Sequence, residues 1–210
     1  MAVPGRESQT EEVIVVELTR TSEPPQLASF RERNPSPADF DSIEFAGVKR
    51  AIKARLNSDQ GGLCAYCESL LAADEGQIDH VKPKGGRHAR PDLAFAYSNF
   101  VHSCIRQTPP RCGQKKGEGM LPIEPSPGCN AQFSLSSSDG AVSPLALANK
   151  QNRHAVNQTI GMLALNEPAL QRERQRWVRI SAEVLRSGDS DFTEFIKDKP
   201  FRFILRKLFA

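Results

Sequence analysis

Four cysteines bracket an Asp-His dipeptide and an asparagine in the middle of this 210-residue chain. Cys64 and Cys67 form a C-x2-C pair; Asp79 and His80 follow, then Asn99, then Cys104 and Cys112. The first spacing lets two thiolates of one tight turn reach the same tetrahedral Zn2+, and a second pair fills the other two positions. Seven residues separate Cys104 from Cys112, against roughly two to four between paired zinc ligands in compact knuckles. The intervening segment, with Pro109-Pro110, must therefore fold out as a loop. Three arrangements stay open on the residues alone: a four-cysteine zinc site, a site of three cysteines or one recruiting Cys129, and buried free thiols. A four-cysteine site would be structural, because every metal position is filled by protein.

The residues between the pairs have the types that phosphodiester hydrolysis needs. A histidine titrates close to operating pH and suits a general base, so His80 would deprotonate water. A carboxylate is a hard oxygen ligand, so Asp79 would hold Mg2+ or a similar ion against a phosphate. Asn99 has the donors and acceptor to steady a loop. The run QIDHVKPK (77–84) reads as a strand closed by Pro83. Strand side chains alternate, so Asp79 and His80 share a site only where the strand ends or twists. Taken singly, an Asp-His pair is commonly a solvated feature and an asparagine a turn residue. The order of the whole set carries the reading.

That order resembles the HNH, or His-Me finger, nucleases with a zinc-binding ββα-metal core, and among them the HNH proteins of bacterial anti-phage systems, PtuB of Septu and the retron-associated effectors. The motifs are QGGLCAYCE (60–68), IDHVKPK (78–84), YSNF (97–100) and CGQKKG (112–117). The likeness runs from about Pro24 to about Arg186. It implies an α+β fold with a zinc-stabilised ββα-metal core between flanking N- and C-terminal helices. It makes Cys64, Cys67, Cys104 and Cys112 the ligands of a structural Zn2+, His80 the general base, Asn99 the residue that steadies the catalytic loop, and Asp79 the first ligand of a catalytic Mg2+ (or Mn2+). The family places a last metal ligand, His or Asn, just after the final cysteine. Here Gly113 and then Gln114 stand there, so Gln114 takes that role through a neutral carbonyl oxygen, with His102 as a substitute and His88 as a weaker one, while His154 reads as a helix-surface residue. The resemblance also implies DNA as substrate, a PtuA-like ATPase as gating partner, and in retron versions a reverse transcriptase with its DNA product. No GxxxxGK[ST] run is present, so nucleotide binding would belong to the partner. A catalytically weak or inactive zinc subunit that binds nucleic acid, or serves as an adaptor, is the alternative that Gln114 keeps open.

Charge concentrates around the same motifs. The whole chain carries a net +3, but residues 81–119 hold eight Lys or Arg against two acids. Lys82, Lys84, Arg87, Lys115 and Lys116 are the expected nucleic-acid contacts. Five cysteines, an odd number, disfavour a disulfide framework. No run approaches the ~20 apolar residues of a membrane span, and Met1 to Glu12 lacks an apolar signal region, so a cytoplasmic location is expected.

The elements that must position these groups follow from periodicity. The chain is expected to divide into an irregular arm (1–41), a helix plus nuclease core (42–144) and a helical region (145–210). Within the arm, residues 1–12 read as disordered, Val13–Leu18 as a short strand and Gln26–Arg31 as a turn of helix. A helix is expected from Ser42, its cap, to Leu56, burying Ile43, Val48, Ile52 and Leu56. Asp139-Gly140 marks a hairpin turn. A helix over Asn149–Leu165 would bury Ala155, Ile160 and Leu163. The next starts near Asn166 with Pro168 in its first turn, presents Leu170, Trp177, Ile180 and Val184, and stops at Gly188. Phe192–Phe209 reads as one last amphipathic stretch, whose end from Phe201 is either a docking surface or a face packed on its own domain.

Overall fold

The hairpin carrying the Asp-His dipeptide is the middle layer of an α+β structure. The computed structural model describes residues 16–33, 36–188 and 191–209. Strand β1 (Gln77–His80) pairs antiparallel with β2 (Phe100–Ser103), Asp79 opposite Val101 and His80 opposite Phe100. Directly opposed side chains lie on one face of a sheet. Gln77, Asp79, Val101 and Ser103 therefore share one face, and Ile78, His80, Phe100 and His102 the other.

Each face has its own core. On the His80 face, Phe100 and Ile78 join Leu27 and Phe30 of α1 (Pro25–Arg33), Phe40, and Phe45, Ile52 and Leu56 of α2 (Phe45–Asp59). The expected turn at 26–31 is thus a nine-residue helix. Helix α2 begins three residues later than expected, because a 3-10 turn at Pro37–Asp41 precedes it. Ser42 lies before the helix, where its Oγ accepts from the Phe45 N–H at 3.3 Å. Ile43 is consequently 94% exposed instead of buried, and Phe45 takes its place against Phe30 and Phe40.

On the Asp79 face, Val101 joins Leu63, Tyr66, the four clustered cysteines and the C-terminal helices. The hairpin β3 (Phe133–Leu135) with β4 (Val142–Pro144) turns at Asp139-Gly140, as expected; Asp139 Oδ1 accepts from Ala141 N and Gly140 takes a left-handed φ of +71°. Helix α4 (Lys150–Leu163) is capped by Asn149 and buries Val156, Thr159 and Leu163, while Ala155 and Ile160 are only half-buried. Helix α5 (Pro168–Ser187) ends at Gly188. Its cap is Glu167, not Asn166, which instead holds both backbone groups of Val142 at 2.8 Å. The buried stripe is Leu170, Arg174, Val178 and Ser181, one position round from the apolar one, because Arg174 is turned inward. The stretch Phe192–Phe209 is broken into α6 (Phe192–Ile196) and α7 (Arg202–Phe209) at Pro200, which has no N–H to continue a helix, and at Phe201 with φ +58°. Phe201, Ile204 and Leu205 are buried, so this face packs on the molecule itself.

Residues 16–18 form no strand, although Val16 and Leu18 are buried. The remainder of that expected strand, and the expected disorder at 1–12, lie outside the described residues. Among the described residues no helix is long and apolar enough to cross a membrane.

Candidate active site and metal centre

The metal centre starts from the turn after α2. Gly61 and Gly62 take left-handed φ values, and the chain folds back so that Cys64 N donates to Ser69 O at 2.9 Å and Glu68 N to Cys64 O at 3.0 Å. Cys104 directly follows β2 and its N–H donates to the Cys64 sulfur at 3.4 Å. The segment 105–111 loops out and returns Cys112, whose N–H is held by Leu163 O at 2.9 Å. The four buried sulfurs lie within 4.8 Å of one another, Cys67 and Cys104 at 3.9 Å. A tetrahedral Zn2+ with ~2.3 Å bonds to sulfur sets its ligand atoms about 3.8 Å apart, so the set fits this ion. Two guanidiniums support it. Burial works against the charge of Arg111, yet the sulfurs of Cys67, Cys104 and Cys112 hold it above the usual value. Burial lowers Arg174 only to about 10, and Cys67 and Glu68 favour its charge. Four thiolates around a Zn2+ would leave two negative charges, which these two cations would offset. Cys129 is buried in a 3-10 turn outside this set, its thiol pushed up to about 12 by burial.

The same turn reaches into the hairpin. Tyr66, inside the C-x2-C turn, donates its hydroxyl to Asp79 Oδ2 at 2.6 Å. From the other side comes α3 (Gly113–Lys116), which starts immediately after Cys112. Lys116 reaches Asp79 Oδ2 at 3.2 Å with its side chain almost wholly buried. Gly113 packs flat on the Asp79 face of the sheet. A Cβ there would come within 2.7 Å of Gln77 Nε2 and 3.1 Å of Asp79 Cγ. Next to it, Gln114 Nε2 donates to Gln77 Oε1 at 2.5 Å.

His80 emerges on the opposite face. The residue is 6% exposed, and its ring lies against Phe40 and Phe100, with centroids at 4.6 and 5.1 Å. Burial lowers its pKa, outweighing the Ala94 carbonyl and Asp79, which favour the charged ring. Its Nε2 is 3.0 Å from Ala94 O. A carbonyl only accepts, so Nε2 carries the proton and Nδ1 the lone pair in the neutral ring. Asn99 is buried and holds the loop after the strand. Its Oδ1 accepts from Lys82 N at 2.8 Å, and its Nδ2 donates to Lys82 O at 2.9 Å and Leu93 O at 3.2 Å. Asn99 thereby fixes both the departure of the chain from His80 and the loop that delivers Ala94 O.

Asp79 and His80 meet where β1 ends, in a cleft of about 400 Å³ that also receives Lys84, Lys116 and Glu118. Glu118 has no signal in the motifs. Only the fold brings it over the Gly85-Gly86 turn, where a Cβ on Gly86 would lie 2.5 Å from its Oε2. Of the expected nucleic-acid contacts, Lys84 lines the cleft and pairs with Asp41 at 2.5 Å. Lys82 is 3.8 Å from Glu124, and Arg87 and Lys115 are exposed. Lys116 lies inside the cleft against Asp79. His102 is on the face away from Asp79 and fully buried, between Asn57 and the Glu75 carbonyl. His88 and His154 are exposed.

No family model matches the chain. A curated protein does: "Retron Vc95 putative HNH endonuclease" of Vibrio cholerae serotype O1 biovar El Tor is 39% identical over 204 residues, covering 92% of this chain and 99% of the relative. Identity at that level over nearly the whole of both chains exceeds what a shared motif alone leaves, and on it this chain belongs to the HNH endonuclease family.

Proposed function

We propose that the chain is a metal-dependent endonuclease that hydrolyses phosphodiester bonds in DNA, on a ββα-metal core made of β1, β2 and α3. The observation that carries the reading is His80: a neutral imidazole whose Nε2–H is tied to Ala94 O, which leaves the lone pair on Nδ1, in a residue that lines the same cleft as Asp79. In this reading His80 is the general base for water, and Asn99 is a positioning residue that sets the ring through the loop it pins. Asp79 is the hard oxygen donor of the cleft, with the carbonyl of Gln114 in α3 as the second protein ligand. A Mg2+ or Mn2+ held there would neutralise charge on the phosphate and the leaving oxygen. Zn2+ on Cys64, Cys67, Cys104 and Cys112 is structural; it carries Tyr66 to Asp79 on one side and α3 on the other. Lys84, Lys115 and Arg87 would contact the backbone of the nucleic acid, with Lys82 beside them.

The relative's place in retron Vc95 supports a retron setting. There the chain would act with a reverse transcriptase and its DNA product, and under a PtuA-like ATPase, as the family resemblance implies. Cleavage of plasmid DNA with Mg2+ or Mn2+ tests the activity. His80→Ala is expected to lower the rate by at least a hundredfold, in line with removal of a general base; equal rates for the two proteins refute the assignment. One observation favours a second reading. The Lys116 ammonium already rests on Asp79, as a cation would, which suits a subunit that binds nucleic acid without cutting it. That reading predicts DNA binding and no cleavage by wild type, alone or with its partners.

A further inference from the structure

Beside the cleft lies a second cavity of about 470 Å³, and its wall is the more basic of the two. Lys49, Arg50 and Lys53 of α2 line it, with Asp41 the one acidic side chain among them. Its floor is Gln77 and Ile78, the two residues of β1 that precede Asp79 and His80. Lys53 gives its ammonium to the carbonyls of Asp74 and Glu75 at 2.7 and 3.0 Å. Lys49 and Arg50 are the two placed to meet a ligand, Arg50 being exposed.

The two cavities are joined through a single residue pair. Phe40 packs on the His80 ring, and over Phe40 stand the ammonium of Lys49 at 4.5 Å and that of Lys84 at 5.1 Å. Asp41 bridges the same two lysines, at 3.4 Å to Lys49 and 2.5 Å to Lys84. Its side chain is 67% exposed. One lysine belongs to each cavity, so Asp41 is an anion placed across a single basic groove. Exposed ion pairs of this kind hold weakly and exchange readily for another anion.

We infer that this groove takes the phosphodiester backbone of the substrate on the flank of the scissile bond, with a phosphate displacing Asp41 from Lys49 and Lys84. The inference rests on the nuclease reading and extends it to a surface outside the basic window of 81–119. Contacts there are to backbone and carry no base sequence.

Binding of a labelled DNA duplex by full-length His80→Ala protein, followed by fluorescence anisotropy across a salt series, tests it. Adding Lys49→Ala and Arg50→Ala is expected to weaken binding about tenfold and to flatten the salt dependence by roughly two phosphate contacts. Asp41→Asn is expected to act in the opposite direction and tighten binding about threefold, which a misfolded variant would not do. Unchanged affinity and salt slope in both variants overturns the groove and leaves the nuclease reading standing. If the parent protein does not bind DNA at all, and wild type does not cut it, both fall.

Discussion

Where His80 is buried favours the form of the ring that the proposed base needs. An imidazolium packed between Phe40 and Phe100 loses hydration that its neighbours do not replace, so the neutral ring persists to lower pH than in a free histidine. The neutral ring is the form that accepts a proton. Cleavage should therefore rise with pH through a value below the ordinary histidine pKa of about 6.5. A pH–rate profile measured with saturating Mg2+ checks this; an acid limb centred above 7 is incompatible with it. Asn99 acts one step back. Its three bonds hold the loop that carries the Ala94 carbonyl, so Asn99→Ala should slow cleavage tenfold or more while substrate KM stays within about twofold, since the side chain touches no substrate. The proposed second ligand of a catalytic metal is the feature least legible in the motifs. Gly113 directly follows the last clustered cysteine, and the structure shows why a larger residue is not simply accommodated there: Gln77 and Asp79 occupy the space a Cβ would need.

The cysteine segment shows what an element-level reading can and cannot reach. The C-x2-C turn, the presence of a strand through Asp79 and His80 and the Asp-Gly hairpin were all legible, because local spacing and turn chemistry determine them; that the strand ends at His80, ahead of Pro83, was not. The seven-residue insertion between Cys104 and Cys112 was legible only as a loop. What returns Cys112 to the cluster is the carbonyl of Leu163, a partner distant in sequence. The start of α2 was misplaced for a similar reason, since Phe45 is chosen over Ile43 by Phe30 and Phe40. A structural zinc in this segment makes a direct prediction. Cys112→Ser should lose about one equivalent of zinc by elemental analysis and lower Tm by roughly 10 °C, at ~2–4 °C per kcal/mol for a chain of this length; full zinc content with an unchanged Tm excludes the site. Glu68 offers a second test. It caps α7, Oε2 accepting from Phe203 N at 3.1 Å, and burial raises its pKa to about 7. A carboxyl raised from its unfolded value of about 4.5 binds its proton more tightly when folded, so stability falls as pH rises from about 4.5 to about 7. Glu68→Gln should match wild type near pH 4.5 and exceed it at pH 8, by on the order of 2–3 kcal/mol, in denaturant titrations.

On the scale of the whole molecule, the β1–β2 hairpin is held between two separate cores, one on each face. The α1–α2 core fixes His80, and the cysteine core with the C-terminal helices fixes Asp79. The tail from Phe201 closes the second core: Phe201 N bonds Glu68 O, and Arg202 reaches the carbonyls of Gln60 and Gly61. Whether that amphipathic tail docked outward or inward could not be read from its pattern, because periodicity gives a face and not its partner. This closure has a consequence during synthesis. Cys112 leaves the ribosome about ninety residues ahead of Leu205, roughly 5–20 s at usual elongation rates. For that interval four thiols stand uncovered in a nascent chain, and early capture of zinc is what would keep them from oxidation until the last helix arrives.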